Sequence, residues 1–120
     1  MCTSDFMMDL PIKGLAVIPE FVSAAEEIQL LTLIDQGEWI TELKRRVQHF
    51  GYRYLYSSKR VAPSPAPPLP SWAIQILSDL HARQIVSQGF DQLIINEYYP
   101  GQGIAPHIDS PLCFDNEVVS

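Results

Sequence analysis

The chain has 120 residues, of which 47% are hydrophobic and 18% charged, with a formal charge of −6. That length suits one domain with one modest core, and the apolar content excludes a disordered tail. No apolar run approaches the ~18 residues a membrane span needs, and acids interrupt the place where a signal peptide would be apolar. A soluble, cytosolic domain is expected (nuclear also, in a eukaryote), with no membrane and no obligate protein partner. Cys2 and Cys113, near opposite ends, are expected to be reduced thiols, because a disulfide scaffold of this size carries more cysteines.

The charge is unevenly divided. Lys44, Arg45, Arg46, Arg53, Lys59 and Arg60 lie in one stretch without a single Asp or Glu, so residues 44–60 carry +6 and the remainder −12. An anion-binding surface can therefore coexist with an acidic body.

In chain order, Ser23-Ala24-Ala25-Glu26 forms a capping-box pattern, in which the Ser hydroxyl accepts from a free amide and Glu26 reaches back. Ile28, Leu31 and Ile34 follow at helical spacing and Gly37 is a stop, which predicts a helix over 23–36. From Phe50 the period changes to two. Phe50, Tyr52, Tyr54 and Tyr56 would share one side of a strand, with Arg53 on the other. Cations for phosphates and flat rings for bases are the mixture expected of a single-strand or flipped-base binder, although the same rings would equally suit a half-buried strand.

Five of the ten prolines fall within 63–70, so residues 61–70 are expected to be an extended connector, neither helix nor central strand. Ser71 is expected to cap a second helix over 72–87, with Ile76, Leu77, Leu80 and Gln84 on one side and Gly89 at its end. Leu93 to Tyr99 then predicts a strand closed by Pro100-Gly101, Ile104 to Asp109 an extended segment, and Glu117 onward another strand. Helices first and strands later imply α+β rather than βαβ winding.

His107-Ile108-Asp109 carries the chemistry. In extended backbone, residues two apart project to one side about 6–7 Å apart, so an imidazole and a carboxylate can converge on one divalent cation. Two-thirds of a 2-His-1-carboxylate facial triad would result, which leaves exchangeable positions on iron(II). A zinc site with Cys113 is disfavoured for want of a fourth ligand. His81 is expected to be a surface residue, and His49 to meet a nucleic-acid substrate or the core.

Asn96-Glu97-Tyr98-Tyr99-Pro100-Gly101-Gln102-Gly103-Ile104-Ala105-Pro106-His107-Ile108-Asp109 resembles the N-x-Y-x-P-G-x(5)-H-x-D signature of the AlkB family of Fe(II)/2-oxoglutarate dioxygenases. His49-Phe50-Gly51-Tyr52 resembles that family's nucleotide-recognition segment. Gly101-Gln102-Gly103-Ile104 and Glu117-Val118-Val119-Ser120 are similar to the tRNA-modifying branch, known from animals with a fused methyltransferase domain that does not occur within these 120 residues. The resemblance covers nearly the whole chain from about Leu15.

The resemblance implies a double-stranded β-helix (jelly-roll, cupin-like) core behind N-terminal helices. It implies His107 and Asp109 as iron ligands and Asn96 and Tyr98 as partners of 2-oxoglutarate. Lys44, Arg45, Arg46, His49, Phe50, Tyr52, Arg53 and Tyr54 would meet the nucleic acid. With O2 as oxidant, 2-oxoglutarate is decarboxylated to succinate while a C–H bond is hydroxylated; an N-methyl carbon so oxidised leaves as formaldehyde. The favoured substrate is tRNA, with repair of alkylated RNA or DNA second and protein or lipid oxidation less favoured.

The family's third iron ligand is a second His well beyond the H-x-D, followed by an Arg that grips 2-oxoglutarate. Neither falls within this sequence. Since the last residues read as the start of a strand, only the N-terminal part of the jelly-roll is expected here, with an open sheet edge. A non-catalytic remnant that binds nucleic acid or metal is the alternative.

Overall fold

A computed structural model describes residues 7–56, 58–110, 113–115 and 117–120, with residues 63–65 described in backbone only. Cys2 lies outside them; Cys113 is a free thiol. Two compact units, 1–37 and 38–120, divide the chain.

In the first unit, β1 (Met8–Asp9) pairs antiparallel with β2 (Ala16–Val17), Met8 opposite Val17. Helix α1 (Ala24–Asp35) follows the expected bounds to within a residue. Its capping box is formed in both directions: Glu26 N–H donates to Ser23 Oγ at 3.1 Å and Ser23 N–H to Glu26 Oε1 at 3.2 Å. The box satisfies two amides that a helix start otherwise leaves without partners. None of α1 is buried, and Ile28 and Leu31 are exposed.

The second unit is organised by β3 (Arg46–Phe50), which pairs antiparallel with β6 (Leu93–Glu97) over its full length, from Arg46 opposite Glu97 to Phe50 opposite Leu93. On its other edge, an isolated bridge joins Val47 to Ile40. Val47, Gln48 and His49 are consecutive and all buried. Flanked on both edges and covered on both faces, β3 is central in a way that alternating aromatics alone could not indicate.

Gly51 corrects the single strand expected over Phe50–Tyr56. Its φ of +80° turns the chain, and a Cβ there would lie 1.9 Å from the Asp91 carbonyl oxygen. Only glycine tolerates that corner. The run splits into β3 and β4 (Tyr52–Leu55), and β4 pairs with β5 (Arg60–Pro65) through a bulge between Tyr52 and Tyr54. Phe50 and Tyr52 therefore belong to different sheets and form no continuous stripe. The first half of the proline-rich stretch is itself a strand, paired on one side only, the edge position that proline allows.

Helix α2 (Ser71–Ala82) starts one residue before the expected place and ends five before it. Ser71 is its first residue rather than its cap; Pro70 occupies that position with no side-chain hydrogen bond. Gln84, with φ of +58°, leaves the helical region and ends the turn before Gly89 is reached. Ala73 and Leu80 are its buried residues.

Residues 98–110 form no strand, and neither do the described residues from Glu117 onward. Glu117 instead accepts hydrogen bonds from the Ser87 and Gln88 amides (3.1 Å each) and from Ser87 Oγ (2.7 Å). These bonds hold its carboxyl below the usual carboxylate range, the Ser87 side-chain bond contributing most. Among the described residues the strands make three two-stranded sheets, a partial α+β arrangement without a closed jelly-roll. No described helix is long and apolar enough to cross a membrane.

Candidate functional site

The expected turn after β6 is formed. Gln102 N–H donates to the Tyr99 carbonyl at 2.9 Å, with Pro100 inside the turn and Gly101 at φ +87°. Proline before a left-handed glycine is the type II pattern. The Gln102 side chain reinforces it, accepting from Tyr99 N–H at 2.8 Å and donating to the Lys44 carbonyl at 3.3 Å. This turn sends the chain from β6 into the segment that bears His107.

His107 and Asp109 converge. His107 Nε2 lies 3.3 Å from Asp109 Oδ1, and both side chains are about half exposed. His107 Nδ1 lies 2.9 Å from the Ala105 carbonyl oxygen. Acceptors face both ring nitrogens, the Ala105 carbonyl at Nδ1 and the Asp109 carboxylate at Nε2, so the ring can donate at either; the tautomer with its proton on Nδ1 leaves the Nε2 lone pair toward Asp109. A bare ring nitrogen and a carboxylate oxygen repel unless a proton or cation stands between them. Donors at about 2.1 Å from one first-row cation, set at right angles, stand roughly 3 Å apart, so this pair fits two cis positions. No group of three His, Cys, Asp or Glu able to hold a metal occurs among the described residues, so they do not complete an iron site.

The pair opens onto a cleft of about 1150 Å³. Of the expected site residues, Arg45, Tyr54, Asn96, His107 and Asp109 line it; so do Tyr56 and Phe114, which were not expected in the site. Tyr54 lies edge-on to Tyr56 (5.2 Å between centroids) and is tilted against Phe114 at 5.4 Å. Burial pushes the Tyr56 phenol above its ordinary range, and the nearby Arg45 partly offsets this. Tyr56 could have been found from the period-two aromatics. Phe114 could not, because no period of the sequence links it to the other rings; its amide donates to the Ser110 carbonyl at 3.0 Å.

The basic stretch is less open to a polyanion than its composition suggests. Arg46 makes a paired contact with Glu97, Nε to Oε1 at 2.6 Å and Nη2 to Oε2 at 2.9 Å, and its guanidinium lies 4.1 Å from the Trp39 ring centre. The Glu97 carboxyl is correspondingly held below its usual range, chiefly by the bond from Arg46. Arg53 is paired with Glu42. Arg45 donates from Nε to Asn96 Oδ1 at 2.9 Å. Lys44, Lys59 and Arg60 are exposed.

His49 is buried, the core alternative of the two that its position allowed. Its Nδ1 accepts the Tyr54 amide at 3.4 Å, across the Gly51 corner, and its ring stands 5.6 Å from that of Tyr56. Burial lowers its pKa, the Arg53 charge lowers it further, and Glu42 opposes. Phe50 is half-buried opposite Leu93, and Tyr52 is exposed. Neither lines the cleft. Asn96 is exposed on β6, and Tyr98 follows two residues on, 41% exposed.

No family model and no solved structure matches the chain. Curated relatives do. An "Alkylated DNA repair protein ALKBH8 homolog" of Arabidopsis thaliana is 39% identical over 118 residues, 93% of this chain and 34% of that protein. The "tRNA (carboxymethyluridine(34)-5-O)-methyltransferase alkbh8" of Xenopus tropicalis is 34% identical over 89% of this chain and 18% of its own length. A "Probable RNA/DNA demethylase ALKBH6" of Danio rerio is 33% identical over 79% of this chain and 40% of its length. The chain thus spans less than half the length of each of these three proteins. Their names place the family in nucleic-acid modification and demethylation. With an N-x-Y turn leading to a convergent H-x-D and relatives of this kind along most of its length, the chain belongs to the AlkB family, on its ALKBH8 side.

Proposed function

We propose that this chain is part of an Fe(II)- and 2-oxoglutarate-dependent dioxygenase that oxidises modified or alkylated bases in nucleic acid, with tRNA the favoured substrate. The observation that carries it is the convergence of His107 Nε2 and Asp109 Oδ1, with Nδ1 tied to the Ala105 carbonyl, at the mouth of an aromatic-lined cleft. His107 and Asp109 would supply two donors to iron, which when bound provides the oxidising chemistry. The family's third donor, a more distal His, is not among the described residues.

Each of the chain's own groups has a physical task. With a metal at Nε2, the Ala105 carbonyl would receive the Nδ1 proton and so favour the tautomer that a metal requires, the outer-sphere role typical of ligating histidines. Asn96, which lines the cleft, and Tyr98, which lies just past the end of β6, would offer donors to 2-oxoglutarate. Tyr54, Tyr56 and Phe114 give a base flat faces to stack on, each such contact contributing about 1–3 kcal/mol where it forms. An enzyme acting on a base within folded RNA must extract that base, and a stacking surface beside the metal lowers the cost. Lys59, which lines the cleft, and the exposed Lys44 and Arg60 suit phosphates. The tRNA preference draws on the names of the ALKBH8 relatives.

A second reading rests on the donor count. With two donors and no third among the described residues, these 120 residues on their own would hold metal loosely and bind nucleic acid without turnover.

The two are separated by one set of measurements. A protein carrying this segment within a complete family domain is expected to release succinate, given iron, 2-oxoglutarate and a tRNA pool. In the 120-residue chain, His107→Ala is expected to abolish the weak iron binding. No succinate from the former and unchanged iron binding in the latter would refute the dioxygenase. Turnover by the 120 residues alone would instead show that two donors suffice.

A further inference from the structure

Composition groups Arg45 with the phosphate-seeking cations, but its surroundings are those of a fixed residue. Its Nε–H donates to Asn96 Oδ1 at 2.9 Å, across 51 positions of sequence. Its guanidinium carbon lies 5.5 Å from the Tyr56 ring centre and 6.0 Å from that of Tyr98, so two rings flank it within cation–π range. Both the Arg45 and the Asn96 side chains line the cleft that contains His107 and Asp109.

A guanidinium has donors and no acceptor. The Asn96 amide must therefore turn its oxygen toward Arg45, which leaves the Nδ2 hydrogens to face whatever enters the cleft. A free asparagine can present either end; here Oδ1 is engaged by Arg45, and the donor end is the one left unengaged. The ligand atom that meets it has to be an acceptor, and the adjacent cation favours one with negative charge. A carboxylate meets both demands.

We propose that Arg45 is a positioning residue of the cosubstrate pocket: it holds Asn96 in the one orientation that receives a carboxylate, and it is not a phosphate contact. The proposal rests on the assignment of Asn96 and Tyr98 to 2-oxoglutarate. Lysine should not replace Arg45. It keeps the charge, but its flexible ammonium lacks the planar Nε–H that sets the amide and the flat face that lies between two tyrosines.

The test uses the 15N-labelled chain, with 2-oxoglutarate as the probe and the Asn96 side-chain amide signals as the readout. In the wild-type chain, 2-oxoglutarate is expected to shift those signals, and Asn96→Ala to weaken the binding reported by neighbouring backbone amides. Arg45→Lys is expected to weaken it tenfold or more. The double variant should be no worse than the poorer single variant, because both changes remove the same contact. Backbone amide signals of β3 and β6 in the same spectra separate loss of the pocket from loss of the fold. In parallel, Arg45→Gln is expected to leave the salt dependence of RNA binding unchanged.

If Asn96→Ala weakens 2-oxoglutarate while Arg45→Lys does not, or if the two effects simply add, the proposal for Arg45 is overturned and the assignment of Asn96 stands. A salt slope that falls by about 0.7–0.9 in Arg45→Gln returns Arg45 to the phosphates. Absence of any 2-oxoglutarate effect on the wild-type signals, or an Asn96→Ala variant that binds as well as the parent, overturns the assignment beneath it.

Discussion

The β3–β6 ladder and the segment 98–110 lie next to one another in sequence and differ in almost every physical respect. In the ladder, five successive residue pairs are in register and Val47 is fully buried. In the segment no ladder forms, His107 and Asp109 are half exposed, and Ile108 is 93% exposed. The ladder is held by long-range pairing and desolvation. The segment is held by a few local bonds: the Tyr99–Gln102 turn, the Gln102 side chain and the Ala105 carbonyl on His107. Paired scaffold and candidate-site loop are thus separated, with the Pro100-Gly101 turn between them. Chemistry-bearing residues commonly sit in this way on the surface side of a fixed frame.

The sharpest way to break this contrast is at Gly51. Gly51→Ala places a Cβ against the Asp91 carbonyl and demands a positive φ of a residue with a side chain. A loss of roughly 2–4 kcal/mol in denaturant unfolding is expected. A change below about 0.5 kcal/mol would show that the corner relaxes freely and that the ladder does not depend on it.

An intermediate effect is expected from acid. His49 is buried, its pKa lies below the ordinary 6.5, and its Nδ1 accepts the Tyr54 amide, which a protonated ring cannot do. The unfolded chain therefore takes up the proton first, and stability should decline as pH falls from about 7 through the lowered folded pKa. His49→Asn keeps an acceptor in place of Nδ1 and removes the titration. Melting temperatures of this variant and its parent across pH 5–8 should run parallel only if His49 has no part in the decline. The carboxyls of Glu97 and Glu117 are depressed, so their contributions persist above about 4.5 and fade at lower pH, outside that window.

The smallest effect belongs to the loop. His107→Ala is expected to alter folding stability by less than about 0.5 kcal/mol, since the side chain is half exposed and its one hydrogen bond is local. A large loss would mean that the His107–Asp109 pair supports the fold, and would weaken its reading as a site.

Local features were legible in the residues themselves. The Ser23–Glu26 capping box formed as its residues indicate, because both partners lie within one helical turn. The Pro100-Gly101 turn formed because proline and glycine restrict φ at adjacent positions. His107 and Asp109 converge because residues two apart share a side where the backbone is not helical. The H-x-D spacing thus carried the most useful functional information in the chain.

What failed were the inferences that carried a pattern over a longer stretch of sequence into one surface in space. Residues 44–60 hold six Lys and Arg and no acid, yet Arg46 meets Glu97 from a strand 51 positions away and Arg53 meets Glu42 just outside the stretch. The aromatic alternation from Phe50 to Tyr56 spans two sheets because a single glycine turns the chain under the Asp91 carbonyl. Helix α2 stops at Ala82 although its hydrophobic spacing continues further, because Gln84 adopts a left-handed conformation.

The amino-acid order by itself therefore determined the capping box, the turn and the paired donors at 107 and 109, all set by torsional limits and contacts within a few residues. Only the tertiary structure decided which cations are neutralised, which histidine is buried and which asparagine is held by Arg45. Charge pairing and burial depend on the partner that the folded chain brings near, and residue spacing along the sequence does not encode that distance.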